Sequence, residues 1–506
     1  LSFYRGKDLQ GRLSYAALGE RVLAVAGAMH AQYGVRQGDR VAILAPNRLE
    51  VPALVLALLR LGAMVVPLNP GSSPEEWTYI LRHSGAKGIC ATADLAGRVP
   101  AEARPSFTLG IEDVFALAGG SPPAPEGSAA DLPAAVLYTS GTTGNPKGVV
   151  LRQRNLLANG LSMARNFGLQ HTTQLAVLPL YHAHAFGFGL MTTLTTSGHL
   201  VFMERLEPFT WAKVVRAESV EVSSVVPTMI PMLLAAGVTQ AQVPSLRHLM
   251  VSSAPLAPDL ARRFAERAKI PLIQGWGLSE YTNFACCVSP FDPPQDRERL
   301  MFGWQVPSVG PALEGTEVEV VDGAGVPQPE GTVGELRIRG HSTMAGYFLD
   351  DAATARALDP GGWLRTGDEG FFQVDRGRRV FFIAGRIKEI IIRDAEKYSP
   401  LQLERRLIES VPELSGRIAV VGFAHREHGE EVGAYLEVES FDEALRSRIL
   451  AALESMPVAE RPKILLHGAR PIPRTHTGKV QRRKMQPWFE KWSAHRGPTL
   501  VEPVSS

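Results

Sequence analysis

Apolar and polar residues alternate along much of the chain in a rhythm of helix followed by strand. Apolar positions recur with helical spacing over 15–30 and 50–61, and the short apolar runs 39–44 and 64–68 are typical of buried strands. The same rhythm predicts helices at 156–167, 211–217 and 258–268 and strands at 175–180, 222–226 and 272–274. Such repeated units predict an α/β fold in which helices cover parallel sheets.

Two segments interrupt this rhythm. Gly, Ser and Pro cluster without periodicity at 118–128, which predicts an exposed connector. After Gly303, short alternating runs at 316–321 and 334–339 are separated by turn residues. Alternation of this kind predicts a small antiparallel subdomain within the larger α/β part.

A further strand and helix pattern begins near residue 388. It predicts strands at 389–392, 418–423 and 432–438 and helices at 400–408 and 442–456. We therefore expect a large N-terminal domain, residues 1–387, and a smaller α+β C-terminal domain, residues 388–506.

Composition narrows the class of partner. The 506 residues carry 53 basic and 51 acidic side chains, a net charge of +2, so no bulk field is available to hold a nucleic acid or an anionic membrane. Three cysteines, Cys90, Cys286 and Cys287, form neither a disulfide framework nor a metal-ligand spacing, which favours a reducing cytoplasm. The apolar stretch 51–68 is broken by Arg, Gly and Pro, so we expect no membrane span, and we see no signal peptide.

The strongest chemical signal is the segment 138–148, Tyr-Thr-Ser-Gly-Thr-Thr-Gly-Asn-Pro-Lys-Gly. Glycines permit close backbone approach, hydroxyls and amides donate hydrogen bonds to phosphate oxygens, and the lysine adds a cation. The spacing is not that of a Walker loop. A flexible surface loop is the alternative for any few of these residues, but the whole string predicts a polyphosphate site. The candidate ligands are Thr139, Ser140, Gly141, Thr142, Thr143, Gly144 and Lys147.

This string resembles the ATP loop of the adenylate-forming (AMP-binding) superfamily, which includes acyl-CoA synthetases, aryl-CoA ligases, peptide-synthetase adenylation domains and luciferases. Four further segments resemble that family's motifs in the same order: 274–280 (Gln-Gly-Trp-Gly-Leu-Ser-Glu), 363–368 (Trp-Leu-Arg-Thr-Gly-Asp), 385–389 (Gly-Arg-Ile-Lys-Glu) and 471–479 (Pro-Ile-Pro-Arg-Thr-His-Thr-Gly-Lys). Taken singly, they are also typical of core packing, turns or a charged strand. Together they extend the resemblance from Leu13 to about Met485.

The resemblance implies a role for each matched residue. Gly275, Trp276 and Gly277 would border adenine, Ser279 would approach the α-phosphate, Glu280 would bind magnesium, Asp368 and Arg386 would contact the ribose, Lys388 would be the hinge and Lys479 the adenylation lysine. The family also implies that the C-terminal domain is mobile and that ATP and Mg²⁺ are required. The carboxylate nucleophile is already ionised at neutral pH, so no catalytic base is expected.

The acyl acceptor implied by the resemblance is the thiol of coenzyme A. Segment 393–400, Arg-Asp-Ala-Glu-Lys-Tyr-Ser-Pro, departs from the pattern because relatives carry a glycine-rich turn there, near the path of pantetheine. That departure leaves open an acyl-AMP ligase that loads the phosphopantetheine of an acyl carrier protein. A non-catalytic binding protein is a third possibility, disfavoured by the intact Lys479, Glu280 and Asp368.

The acid is indicated by segment 179–186, Pro-Leu-Tyr-His-Ala-His-Ala-Phe, which resembles the acyl pocket of acyl-CoA and aryl-CoA ligases. His182 would face the carboxylate, where amino-acid-activating relatives carry Asp, so we expect a fatty or aromatic acid and not an α-amino acid. A core histidine with satisfied hydrogen bonds is the alternative for His182. The other expected pocket residues are His184, Phe186, Val226, Thr228, Ser253, Ala254 and Cys286.

Overall fold

The computed structural model describes residues 1–139, 145–304, 306–394, 396–475 and 478–504. Its first sheet has seven strands, of which the middle ones are parallel and buried on both faces. In spatial order they are Gly346–Tyr347, Lys147–Arg152, Pro133–Thr139, Met64–Pro67, Arg40–Leu44, Gly88–Ala91 and Phe107–Gly110. The helices that belong to this part of the chain are Tyr15–Ala31, Glu50–Arg60, Pro74–Ser84 and Ala93–Arg98.

A second sheet of eight strands repeats the parallel arrangement. In spatial order it contains Phe284–Cys287, Leu272–Gly277, His248–Val251, Val222–Val225, Thr173–Ala176, His199–Met203, Ser2–Arg5 and Asp8–Arg12. The helices in this region are Gln153–Phe167, Thr192–Thr195, Pro208–Ala217, Ile230–Ala235, Pro258–Ala268 and Pro294–Phe302, with a π-helix at Ala185–Met191. The predicted α/β fold is confirmed.

The antiparallel subdomain predicted after Gly303 is confirmed as a five-stranded sheet. Its strands in spatial order are Ser308–Gly310, Arg378–Arg386, Leu364–Asp375, Gly334–Gly340 and Thr316–Val321, and every neighbouring pair is antiparallel. The helix Asp351–Ala357 lies between the third and fourth of these in the chain. One apolar core joins this sheet to the two parallel sheets.

The last sheet draws its strands only from residues after 390. Five lie in the order Glu396–Tyr398, Ile391–Arg393, Gly429–Glu437, Ile464–Gly468 and Leu500–Pro503, while Ile418–His425 pairs with Gly429–Glu437. Helices Pro400–Ser410 and Glu443–Ser455 belong to the same part, which has its own apolar cores. The expected domain boundary at 387/388 falls in the short 3₁₀-helix Ile387–Glu389, and the division itself stays a prediction.

Helix ends follow the local sequence rules. Ser14 accepts a hydrogen bond from the backbone N–H of Ala17 at the start of the first helix, and Ser73 does the same for Glu76. The latter helix ends at Gly85 in the left-handed conformation. No helix in the described ranges is long and apolar enough to cross a membrane.

Several predicted strands differ from the structure in their bounds, and two of the differences have a clear local cause. The strand predicted at 175–180 is Thr173–Ala176, because the chain leaves the sheet before Pro179 and carries 177–182 toward the site. The strand predicted at 389–392 begins at Ile391, because Ile387–Glu389 forms a helical turn. The connector at 118–128 forms no helix or strand and is mostly exposed, as predicted.

Candidate functional site

The two sides of the predicted phosphate loop are brought together by a hairpin. Strands Pro133–Thr139 and Lys147–Arg152 are antiparallel, and Thr139 pairs with Lys147 at the open end. Ser140, Gly141, Thr142, Thr143 and Gly144 lie outside the described residues. The hairpin therefore presents Thr139 and Lys147 at the loop's two ends, and the ligand roles of the loop stay a prediction.

Lys147 is connected to Glu280 through a tyrosine that the sequence did not single out. The Lys147 ammonium lies 4.9 Å from the centre of the Tyr347 ring, and the Tyr347 hydroxyl donates to Glu280 Oε1 at 2.9 Å. Burial, and then the Glu280 carboxylate, raise the pKa of Tyr347, so the phenol remains a donor. Tyr347 reaches this position because the strand Gly346–Tyr347 pairs with the strand of Lys147.

Ser279 and Glu280 lie in a 3₁₀ turn, Ser279–Tyr281, directly after the strand Leu272–Gly277. The turn is fixed at its end by Thr282, whose φ of 65° is uncommon outside glycine. Its hydroxyl donates to the carbonyl of Ser342, and the Glu280 carbonyl accepts from the N–H of Met344. The carboxylate of Glu280 is thereby held at the end of a rigid strand.

Asp368 is a nearly buried carboxylate whose two oxygens are both engaged. Trp276 Nε1 donates to Oδ2 at 2.9 Å, and Arg386 Nε lies 2.8 Å from Oδ1. Asp368 and Arg386 are direct partners on neighbouring antiparallel strands. The Asp368 charge is the main cause that raises the pKa of Arg386. The arrangement brings together three of the predicted nucleotide-binding residues. The indole N–H of Trp276 positions the carboxylate of Asp368, in addition to any contact that the indole ring makes.

Gly275 and Gly277, the other predicted adenine residues, are required by packing. A Cβ on Gly277 would lie 1.8 Å from the carbonyl oxygen of Asn283, and a Cβ on Gly275 would lie 2.5 Å from Cys287 Sγ. Both positions face the antiparallel strand Phe284–Cys287. Glycine here lets that strand approach closely, which keeps Trp276 between two tightly packed positions.

Lys479 is carried on a hairpin loop of the C-terminal part. Its N–H donates to Thr475 Oγ1, and its carbonyl accepts from the N–H of Thr475. Gly478 has a φ of 85°, and a Cβ there would lie 2.9 Å from Thr228 of the N-terminal part. The loop therefore touches the predicted acid pocket, while His476 and Thr477 lie outside the described residues.

The charges around Lys479 come from both parts of the chain. Desolvation is the largest cause that lowers its pKa, followed by the Arg386 cation, whereas Asp368, Glu280 and Glu389 act in the opposite direction. The residue is nonetheless exposed to solvent. This exposure limits the effect of desolvation, and the three carboxylates favour the charged form of Lys479.

His184 forms a polar cluster in an otherwise apolar pocket wall. Its Nδ1 lies 3.0 Å from Ser252 Oγ and 3.2 Å from Ser253 Oγ, and its ring packs edge-on against Phe284. Burial lowers the pKa of His184 to about 3, so the imidazole is neutral at physiological pH. Ser253 holds its hydroxyl there from a left-handed backbone conformation, with φ of 72°.

His182 is half-buried beside Tyr181, with the two ring centres 4.5 Å apart, and its carbonyl accepts from the N–H of Phe186. The other predicted pocket residues differ in exposure: Phe186, Val226 and Cys286 are buried, Ala254 is half-buried, and Thr228 is exposed. Their roles as acid contacts stay a prediction. Phe186 lies in the π-helix Ala185–Met191, a local geometry that frequently marks functional segments.

Lys388, the predicted hinge residue, is exposed, but its neighbour Glu389 is held by an ion pair. Glu389 Oε2 pairs with Arg482 Nη1 at 3.0 Å, and Arg482 Nη2 pairs with the buried Glu404 at 2.6 Å. Arg482 Nε also donates to the carbonyl of Val420. The network links the turn after the hinge to the segment that follows Lys479. No local sequence pattern indicated it, because its members are far apart in the chain.

The segment without glycine at 393–400 is held instead by an ion pair and a carboxylate–imidazole contact. Arg393 Nη1 pairs with the buried Glu431 at 3.3 Å, and Asp394 Oδ1 lies 2.8 Å from His428 Nδ1. Asp394 adopts a φ of 51°, a conformation that Asp tolerates better than most residues. Ala395 lies outside the described residues. The hairpin from Ile391–Arg393 to Glu396–Tyr398 forms without the expected glycines.

Glu280 fits the expected magnesium ligand. Within the described ranges no group of three or more His, Cys, Asp or Glu side chains could hold a metal ion. Mg²⁺ commonly takes only one or two carboxylates and completes its shell with water and substrate phosphates. The single carboxylate of Glu280, linked to Lys147 through Tyr347, is consistent with such a donor set.

Comparison with known proteins agrees with this geometry. The profile of a family described as AMP-binding enzyme matches residues 3–348. A sulfoacetate–CoA ligase of Cupriavidus necator is 32% identical over 483 residues, covering 91% of this chain and 89% of its own. A feruloyl-CoA synthase of an Amycolatopsis species is 32% identical over 403 residues, covering 78% of each chain.

Solved structures show a further correspondence. The ATP-bound crystal structure of MatB from Rhodopseudomonas palustris superposes with a TM-score of 0.84 at 26% identity, covering 96% of this chain and 95% of that one. The apo structure of the same protein, with the same coverage, gives only 0.72. The present arrangement is thus nearer to the ATP-bound form. Since the family profile matches more than half of the residues, the chain belongs to the AMP-binding enzyme family.

Proposed function

We propose that this chain is an AMP-forming acid–CoA ligase that activates a carboxylic acid with ATP and transfers the acyl group to coenzyme A. The observation that carries this proposal is the contact of the Lys479 loop, through Gly478, with Thr228 of the N-terminal part. From there Lys479 interacts electrostatically with Arg386, Asp368 and Glu280. Relatives that cover nearly the whole chain bear the names of CoA ligases.

The first step joins the carboxylate to the α-phosphorus. One carboxylate oxygen forms a bond to that phosphorus while the bond to the bridging oxygen breaks and pyrophosphate leaves. The protein contributes position and positive charge. Lys479 supplies a cation from one side and Lys147 from the end of the phosphate loop, while Asp368, fixed by Trp276 and Arg386, accepts hydrogen bonds from the ribose.

Glu280 would hold Mg²⁺, which when bound supplies charge neutralisation to the phosphates. The Tyr347 hydroxyl orients one oxygen of this carboxylate. In the second step the sulfur of coenzyme A forms a bond to the acyl carbon. AMP leaves, and the thiol proton passes to solvent. The turn at 393–400 and the exposed Lys388 belong to this step, for which we propose a rotation of residues 388–506.

The acid carries an uncharged fatty or aromatic group in our proposal. The expected pocket residues include no acidic side chain that could pair with an α-ammonium, and His182 stands where such a partner would be. Sulfoacetate, the acid named for one relative, carries a sulfonate. His184 is neutral because burial lowers its pKa to about 3, so it offers such a group a hydrogen bond and no positive charge. Aromatic acids are favoured by the relatives named for ferulate and 4-coumarate. We further propose a cytoplasmic location, since all three cysteines are free and buried.

An acid panel tests the proposal directly. The purified enzyme should catalyse acid-dependent exchange of pyrophosphate into ATP with octanoate, 4-coumarate or ferulate, and not with phenylalanine. Addition of coenzyme A should then yield the acyl-CoA, whereas an acyl group on a carrier protein alone would favour the acyl-AMP ligase. Absence of exchange with every acid would overturn the proposal, and sulfoacetate as the best acid would overturn our reading of the pocket.

Tyr347→Phe tests the link between the phosphate loop and Glu280. Loss of a hydrogen bond to a charged group should slow pyrophosphate exchange about tenfold, while thiolysis of a supplied acyl-adenylate should change little. Tyr33→Phe, a half-buried tyrosine packed on Phe107, is the matched control. Exchange at the wild-type rate in Tyr347→Phe would show that Glu280 does not depend on this hydroxyl.

A further inference from the structure

A small cavity lies at the edge of the eight-stranded sheet, opposite the proposed active site. It has a volume of about 110 Å³ and is lined by Arg247, His248 and Arg297 together with aromatic walls from Phe167 and Phe291. His248 begins the strand His248–Val251, whose other end leads to Ser252 beside His184. Ser252 lies four positions after His248, roughly 13 Å along the strand.

His248 is a buried polar group that the proposed reaction does not use. Its side chain is only 2% exposed, and Nε2 has no hydrogen-bond partner among the described residues. The ring stacks on Phe167 with centres 5.3 Å apart. Burial lowers the pKa of His248 to about 3, and the further causes are the positive charges of Arg247 and Arg297. A buried polar atom normally has a hydrogen-bond partner, and no described residue supplies one to Nε2.

The cavity carries an excess of positive charge. Arg297 is half-buried, its Nη1 donates to the carbonyls of Pro290 and Asp292, and no carboxylate lies within ion-pair distance of it in the described ranges. Arg247 is only loosely balanced by Glu221, 3.5 Å away, and also donates to Thr172. The side chain of Asp292 is directed to Arg378.

We propose that this cavity is a binding site for a small oxyanion, a carboxylate or a phosphate, held by Arg297, Arg247 and His248. Guanidinium groups match the planar geometry of carboxylates and the oxygens of phosphate. An anion would balance the charge of Arg297, which has no carboxylate within ion-pair distance in the described ranges, and His248 would border it. The phenyl walls limit the ligand to a compact group.

Calorimetric titration with inorganic phosphate and, separately, with acetate tests the site at constant ionic strength. Wild-type protein should bind at least one of them saturably, and Arg297→Gln and His248→Phe should each weaken that binding about tenfold or more. Arg267→Gln, an exposed arginine of the helix Pro258–Ala268, should bind as the wild type does. The tighter anion identifies the ligand as a phosphate or a carboxylate.

Nuclear magnetic resonance of histidine-labelled protein distinguishes this site from the phosphate loop. The imidazole signals missing in His248→Phe should shift saturably with the same anion in the wild type. Binding that is unchanged in both variants, or titration without any shift of these signals, would refute the proposal. If His248→Phe does not fold, Arg297→Gln and the wild-type titration still decide. Neither measurement depends on ligase activity, so the proposed function is unaffected by their failure.

Discussion

Lys479→Ala is expected to slow acyl-adenylate formation by about 10²–10³-fold, the effect of removing one preorganised group that stabilises charge in a transition state. The reason is geometric. The loop of Lys479 touches Thr228 through Gly478, and the ammonium shares its surroundings with Arg386, Asp368 and Glu280. A cation in this position stabilises the charge that develops as pyrophosphate leaves. The measurement is pyrophosphate exchange with the best acid.

The rate of the second half-reaction distinguishes a specific role of Lys479 in adenylation from general damage to the enzyme. If residues 388–506 rotate between steps, Lys479 is withdrawn when the thiol attacks, so Lys479→Ala should convert a supplied acyl-adenylate and coenzyme A at nearly the wild-type rate. Lys484→Ala removes an exposed lysine five positions away and should affect neither step. Equal loss of both half-reactions would falsify the assignment of Lys479 to adenylation alone.

The fold could be predicted because apolar periodicity reports directly which faces are buried. Helix Pro258–Ala268 and strand Thr316–Val321 have the predicted bounds. The N-terminal hairpin, Ser2–Arg5 with Asp8–Arg12, could not be predicted, since its short strands gain their stability from pairing with the distant His199–Met203. Pairing across nearly 200 residues leaves no local pattern.

The residues of the candidate site could be predicted where they lie in a recognisable sequence motif. Asp368 and Arg386 each lie in a recognisable segment, but the antiparallel register that places them in one ion pair is visible only in the fold. Tyr347 shows the limit more clearly. A Gly-Tyr pair carries no signal by itself, and its function arises because a two-residue strand brings it beside Lys147 and Glu280.

The polar cluster at Arg482 also lies beyond sequence reasoning, and it makes the largest prediction for stability. Arg482 and Glu404 are both buried and joined at 2.6 Å, and Glu404 Oε1 accepts from the N–H of Val420. Arg482→Leu leaves the Glu404 charge buried without its cation. Removing one partner of such a pair typically lowers the free energy of unfolding by about 3–5 kcal/mol. Urea denaturation and hydrogen exchange of strand Ile418–His425 measure the loss.

The loss of stability in Arg482→Leu should depend on pH in a defined direction. Burial raises the pKa of Glu404, and Arg482 opposes that shift, so Arg482→Leu raises it further. A raised carboxyl pKa favours the folded state below the unfolded pKa, and that contribution is lost as pH rises through the folded pKa. The deficit of Arg482→Leu should therefore be larger at pH 8 than near the ordinary carboxyl pKa of about 4.3.

Two comparisons make this prediction decisive. Arg483→Leu changes the exposed neighbour and should cost less than about 0.5 kcal/mol, the usual range of surface substitutions. Glu404→Leu combined with Arg482→Leu should recover part of the stability that the single change loses, because no buried charge remains. The recovery is incomplete because the N–H and the carbonyl of Val420 lose their side-chain partners. A single variant as stable as the wild type at pH 8, or a deficit independent of pH, would mean that the network does not stabilise the C-terminal part. The double variant also lacks the ion pair between Arg482 and Glu389. If its stability returns while its acyl transfer rate falls, that ion pair positions the turn Ile387–Glu389 for the second step.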